Sequence, residues 1–188
     1  MKKLVFAIAT AAVLLALTPA PSTFANPKEK TVMVGGAAMY PSKNIVENAI
    51  NSKDHTTLVA AVKAAGLVET LESDGPFTVF APTNTAFNML PKGTVDNLLK
   101  PEMKDQLTGV LTYHVVAGRL DSKELMRMIK EGGGMATLKT VQGEELTVMM
   151  KGKGIAVKDS KGGVAMVTTK DVYQKNGVIH VVNKVLMP

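Results

Sequence analysis

Residues 75–91 read G-P-F-T-V-F-A-P-T-N-T-A-F-N-M-L-P, and the rest of the chain is organised around them. Gly75-Pro76 is a turn signal. Phe77, Thr78, Val79 and Phe80 are β-branched or aromatic, which suits a buried or half-buried strand. Pro82 has no N–H to give to a ladder and is expected to end it. The Thr83 hydroxyl is placed to cap a helix. Ala86, Phe87 and Leu90 follow at helical spacing before Pro91 closes the turn. The segment therefore predicts a strand, a sharp corner and a short helix. It gathers three of the chain's five Phe residues; with 4% aromatics and no Trp, the core is expected to form around that cluster.

Upstream, Ser42 is a candidate N-cap for a helix with Ile45, Val46, Ala49 and Ile50 on one face. Leu58, Val59, Val62 and Ala65 mark a second amphipathic helix within 55–68, broken at Gly66, and Leu67, Val68 and Leu71 carry its apolar face onward. Downstream, 94–99 and 102–112 are helical patterns. Pro101 fits the first turn of the second, and Leu107, Val110 and Leu111 form its buried stripe. Tyr113–Val116 switch to strand composition. Asp121 with Glu124 predicts a capping box on a helix over 121–130, which Gly132–Gly134 end. Residues 135–141, 144–150, 154–158, 164–169 and 178–182 read as short strands between Gly-containing turns. Asn176-Gly177 predicts a hairpin, because both residues tolerate positive φ. Val178, His180 and Val182 alternate with Ile179 and Val181, a pattern for a strand inside a sheet. Helices first, antiparallel strands last and one strand early make an α+β chain.

The first 25 residues are read as a signal peptide. Lys2 and Lys3 precede an apolar or small-residue run from Leu4 to Leu17, and Thr23-Phe24-Ala25 offers a small-residue cleavage site. That run has 14 residues, against roughly 20 needed to span a bilayer. Residues 26–40 read as a linker and 41–188 as one domain. Removing the leader leaves 163 residues, enough for a real core, with no Cys to staple it. The 12 Met residues serve as flexible core fillers. Residues 26–138 carry 12 basic and 12 acidic side chains, whereas 139–188 carry 8 and 4. This mild basic excess is no nucleic-acid footprint, but it attracts anionic polysaccharide or membrane surface.

Two blocks carry a family resemblance: F-T-V-F-A-P-T-N-T-A-F at 77–87 and N-G-V-I-H-V-V-N-K-V-L-M-P at 176–188, with Tyr113-His114-Val115-Val116 between them. Together they resemble a fasciclin-like domain over about 42–188, most closely the single-module secreted bacterial members. The resemblance implies a fasciclin-like β-wedge of mostly antiparallel strands with a layer of helices, in a module of secreted and cell-surface adhesion proteins. It also implies a binding role for Tyr113 and His114, since a Tyr-His pair flanked by branched apolar residues is associated with integrin binding in animal members. A second adhesion motif is only partly matched by Asn183-Lys184-Val185-Leu186, which lacks its acidic residue.

The chemistry-bearing residues are sparse. His55, His114 and His180 lack zinc-ligand spacing, and His114 and His180 sit in apolar runs that suit hydrogen-bonded core imidazoles. No Ser stands in a nucleophile-elbow context, and the Gly runs lack the Lys-Ser/Thr of a phosphate loop. The expectation is an exported, non-enzymatic binding module, periplasmic or extracellular, without cofactor or metal. Its expected partners are a cell-surface or matrix protein or an anionic polysaccharide. Candidate contact residues are Tyr113 and His114, together with the basic segment of Lys151, Lys153 and Lys161. Two alternatives stay open. A carrier of an apolar or lipid-like ligand would need a Met- and Leu-lined pocket of several hundred Å³. A hydrolase would need His114 or His180 beside a Ser and an acid.

Overall fold

The computed structural model describes residues 30–188; the expected leader lies outside the described residues. The described chain begins with a hairpin, β1 (Val32–Val34) and β2 (Ala37–Met39), followed by α1 (Ile45–Ala49), α2 (Thr56–Ala65) and α3 (Val68–Glu72). Next come β3 (Phe77–Pro82), α4 (Asn84–Asn88), α5 (Thr94–Leu98), a 3-10 turn at Pro101–Met103, α6 (Lys104–Tyr113), β4 (Val115–Ala117) and α7 (Ser122–Glu131). The remainder is β5 (Met135–Lys139), β6 (Glu145–Lys151), β7 (Gly154–Lys158), β8 (Val164–Gln174) and β9 (Gly177–Val182).

The main sheet has the order β4-β3-β9-β8-β7-β6-β5. All its pairings are antiparallel except β3 with β9, which runs parallel from Phe77 opposite Gly177 to Pro82 opposite Val182. The two edge strands come back together: the Val141 N–H donates to the Val115 carbonyl at 2.8 Å, and Val116 bridges Thr140. The fold is thus α+β, a nearly closed wedge of strands with helices against it. β8 turns the corner of the wedge. Its first residues pair with β7 and its last with β9, and the register slips on either side of Thr169. Asp171 sits in one of those bulges at φ +59°, a left-handed conformation Asp tolerates better than most residues. Lys170-Asp171 interrupt the apolar pattern, so the sequence pattern stops at 169 while pairing with β9 carries the strand on to Gln174.

Strand alternation divides the core. Val79 and Ala81 face a cluster with Ile179, Val181 and the helices α1, α2 and α6, whereas Phe80 faces a second cluster with Val182, Leu125, Leu146 and Val157. The three Phe residues therefore do not form one group. Phe77 and Phe87 join the first cluster and Phe80 the second, on the opposite face of β3. The alternation read in β9 holds, and the whole strand is buried. The Thr83 cap also forms, accepting the Ala86 N–H at 3.3 Å.

Other expectations are corrected. Residues 32–39, read as linker, form a hairpin whose Val34 and Met39 enter the core. The signal was Gly35-Gly36 between apolar residues: both have positive φ, as a tight hairpin turn requires. The cap of α1 is Asn44, in a full capping box with Glu47, rather than Ser42. Asp121 caps α7, but Glu124 pairs with Arg127 instead of reaching back. Pro82 does end β3, as its final residue. Tyr113 and His114 finish α6, and the strand starts only at Val115. Gly177 is not a positive-φ turn residue. It is a strand position where an added Cβ would lie 2.1 Å from the Phe77 carbonyl oxygen, so the close β3–β9 approach requires glycine.

Candidate functional site

Tyr113 and His114, the candidate binding pair, face inward. Tyr113 is 0% exposed and His114 3%. The Tyr113 hydroxyl donates to the Glu145 carbonyl at 3.0 Å and accepts the Ser160 N–H at 2.9 Å. It thereby ties the start of β6 to the β7–β8 turn, and burial pushes its phenol above the usual range. His114 Nδ1 lies 2.8 Å from the Val110 carbonyl, and its Nε2 accepts the Leu186 N–H at 3.0 Å. A carbonyl only accepts and an amide N–H only donates, so the proton sits on Nδ1. Burial lowers the pKa to about 4, leaving a neutral ring. The physical reason is that α6 ends on Tyr113 with His114 as its C-cap, which turns both residues onto the sheet.

The lysines stay outside. Lys151, Lys153 and Lys161 are all exposed, but they do not form one patch. Lys151 and Lys153 flank the β6–β7 turn, whereas Lys161 sits on the β7–β8 turn. Strand β7 separates the two groups by about 17 Å, at ~3.4 Å per residue. The Lys161 turn is the more firmly built. Asp159 accepts the Gly163 N–H at 2.6 Å and the Met187 N–H at 3.2 Å, while Tyr113 holds Ser160 from beneath. Lys158 and Lys184 are also exposed on the segments that frame this turn.

Sequence reasoning missed Asn176. It is 4% exposed. Its Oδ1 accepts the Ile45 N–H at 3.1 Å, and its Nδ2 donates to the Leu71 and Ser73 carbonyls, each at 2.8 Å. One side chain thus joins α1, the end of α3 and the β8–β9 turn. Beside it, Asn48 Nδ2 donates to Gln174 Oε1, another buried polar pair between α1 and the sheet.

Ser122, Asp171 and His180 come together, but not as a hydrolytic relay. The Ser122 hydroxyl and N–H both donate to the Asp171 carboxylate, capping α7. His180 Nδ1 accepts the Asp171 N–H at 3.4 Å, and its Nε2 donates to the Leu120 carbonyl at 2.8 Å. The ring stacks on Phe80 with centroids 5.7 Å apart, and burial lowers its pKa. A relay needs the serine proton on an imidazole nitrogen and the carboxylate on the other; here the carboxylate takes the serine and both ring nitrogens serve the backbone. An apolar cavity between helices and sheet measures about 70 Å³, far below the several hundred Å³ of a lipid carrier's pocket. Among the described residues, no helix is long and apolar enough to cross a membrane.

Comparison with known proteins places these features. Residues 53–188 match the family described as Fasciclin domain. Protein sll1483 of Synechocystis is 46% identical over 160 residues, covering 85% of this chain and 82% of the relative. The Transforming growth factor-beta-induced protein ig-h3 of Sus scrofa is 39% identical over 131 residues, 70% of this chain but 17% of that much longer protein. Among solved structures, a FAS1 domain pair from the insect cell adhesion molecule Fasciclin I superposes with a TM-score of 0.71 at 17% identity. The match covers 79% of this chain and 52% of that one.

Proposed function

The chain belongs to the fasciclin family, and from that premise we propose that it is an exported, non-enzymatic binding module for adhesion, making contact with a cell-surface or matrix protein or an anionic polysaccharide. The observation that carries this reading is the Lys161 turn: an exposed cation on a loop fixed by Tyr113 and Asp159, in the third of the chain that holds the positive excess. A rigid turn loses little conformational entropy on contact, so a small patch there binds better than the same lysine on a loose loop. The adhesion role of the insect structural relative supports the same reading. Tyr113 and His114 act as the support of the contact surface.

One small patch binds weakly, and arraying copies raises avidity by roughly 10²–10⁴ without new contacts. The test is binding of arrayed protein to films of a sulfated polysaccharide and of an extracellular-matrix protein, from 0.1 to 1 M salt. It compares wild type with Lys161→Ala and with Lys151→Ala/Lys153→Ala. Screening contracts the Debye length from about 10 Å to about 3 Å across that range. Wild-type binding is expected to fall with salt, Lys161→Ala to weaken it most, and the double variant to matter less. Folded variants that bind like wild type at every salt would refute the assignment. An intact mass beginning at Asn26 is the expected signature of export; retention of residues 1–25 in exported protein would contradict it.

A further inference from the structure

Strand register sets three methionines on one outward row. Met135 pairs with Met149, Met149 with Ala156, and Ala156 with Met166, across β5, β6, β7 and β8. Residues paired across antiparallel strands point to the same face of the sheet, and this row faces away from the core. The row beside it, Val148, Val157 and Ala165, enters the second cluster, where Leu125 and Ile129 of α7 join it. The Thr140 N–H donates to the Glu144 carbonyl at 2.9 Å. Hydrogen-bonded and non-hydrogen-bonded pairs alternate along such a ladder. Met135 and Met149, five positions on, therefore form a non-hydrogen-bonded pair, the kind with its side chains closest.

The row closes over its centre. Ala156 is 0% exposed although it belongs to neither core cluster. Its cross-strand neighbours are Met149 and Met166, both half-buried. Met166 leans toward β7: its Cε lies 3.4 Å from the place a Cβ would take on Gly154. Met149 and Met166 stand two strand spacings apart, about 10 Å. Two unbranched side chains of three rotatable bonds each reach toward one another across Ala156.

Thioether sulfur is a soft donor that selects Cu(I) over hard cations. The adjoining positions supply no carboxylate. Thr137, Thr147, Lys158 and Val164 lie on one side of the row, and Lys151 and Gly154 on the other. That rules out the oxygen-rich coordination which calcium and magnesium demand. Lys151 and Lys158 repel a doubly charged ion about twice as strongly as a singly charged one, which again favours Cu(I). We propose that Met135, Met149 and Met166 form a three-thioether site for Cu(I), with Met149 at its centre. Spacing of His and Cys does not register such a site, because its ligands meet only through strand register.

The test is an anaerobic titration of the folded chain with Cu(I) supplied from a coloured Cu(I) chelate, and a parallel one with Ag(I), followed by NMR of the methionine methyls. One Cu(I) per chain is expected to leave the chelate. Ag(I) should shift the methyls of Met135, Met149 and Met166 to saturation and leave Met33 and Met89, exposed on other elements, where they are. Met149→Leu keeps an apolar side chain of similar size. It leaves Met135 and Met166 three strand spacings apart, about 14 Å, too far to share an ion. It should weaken Cu(I) binding by at least the ~10–100-fold that loss of an outer-shell partner costs, and Met33→Leu should change nothing. Shifts that never saturate, equal shifts at Met33 and Met89, or a folded Met149→Leu that binds Cu(I) like wild type would each overturn the proposal. If Met149→Leu does not fold, the wild-type methyl shifts and Met135→Leu, which should also weaken binding, decide it.

Discussion

Nε2 of His114 accepts the Leu186 N–H at 3.0 Å, so the imidazole at the end of α6 holds the segment that follows β9. Only the neutral ring can do this, because a protonated Nε2 has no lone pair left. With the pKa lowered to about 4 from an ordinary 6.5, the unfolded chain binds more protons than the folded one between those values. Stability therefore falls as pH drops through that window, by up to about 3 kcal/mol from this residue. His55 and His180 are shifted in the same direction. Denaturant midpoints should be highest near pH 7 and decline to pH 4.5, and His114→Gln should flatten the decline. A flat wild-type profile would show that the ring does not carry this linkage.

Asn176→Ala removes three hydrogen bonds at once and strands the Ile45 N–H and the Leu71 carbonyl in buried surroundings. Each unsatisfied group costs about 1–3 kcal/mol, so a loss of about 3 kcal/mol or more is expected in urea. Asn176→Asp, which sets a carboxylate oxygen against the Leu71 and Ser73 carbonyls in a buried site, should cost at least as much. A wild-type midpoint for Asn176→Ala would mean that water replaces the side chain freely.

Phe80 is 0% exposed and stacks on His180. Phe80→Ala should cost about 3–5 kcal/mol, close to the whole stability of a modest domain, about 5–15 kcal/mol. Phe77 is only half-buried, so Phe77→Ala should cost clearly less. Equal midpoints for the two variants would contradict the division of the core between the faces of β3.

Tyr113→Phe keeps the ring and deletes the hydroxyl that holds Ser160 and Glu145. A loss of about 1 kcal/mol is expected. Amide exchange should speed up at Ser160 and Lys161, while the Lys151–Gly154 turn stays as it is. Unchanged exchange at Ser160 would show that Asp159 alone shapes the turn.

What was legible in the sequence depended on neighbours a few residues apart. The β3 strand, the Thr83 cap, the stripe of α6 and the alternation of β9 are all local patterns, and each appears in the fold. Misread features depend on distant partners. The part Tyr113 and His114 play is set by partners far along the chain, at Glu145, Ser160 and Leu186. Lys151 and Lys161 looked like one patch because they are close in sequence, yet β7 sets them at opposite ends. Asn176 was read for its backbone as a turn residue, while its side chain is what joins the helices to the sheet. The hairpin at 32–39 does carry a local signal, Gly35-Gly36 between apolar residues, inside the segment that reads as a linker.

The parallel pair of β3 and β9, second and third in the main sheet, sets Phe77 beside Gly177. No arrangement of the first hundred residues supplies that neighbour. Until β9 arrives, one edge of β3 lacks its ladder partner, and β4 can pair on the other side only. Closing so long a loop is slow compared with forming local contacts. A ribosome adding about 5–20 residues per second therefore releases β3 several seconds before its partner exists. Throughout that interval the main sheet lacks the parallel pair that joins its two halves.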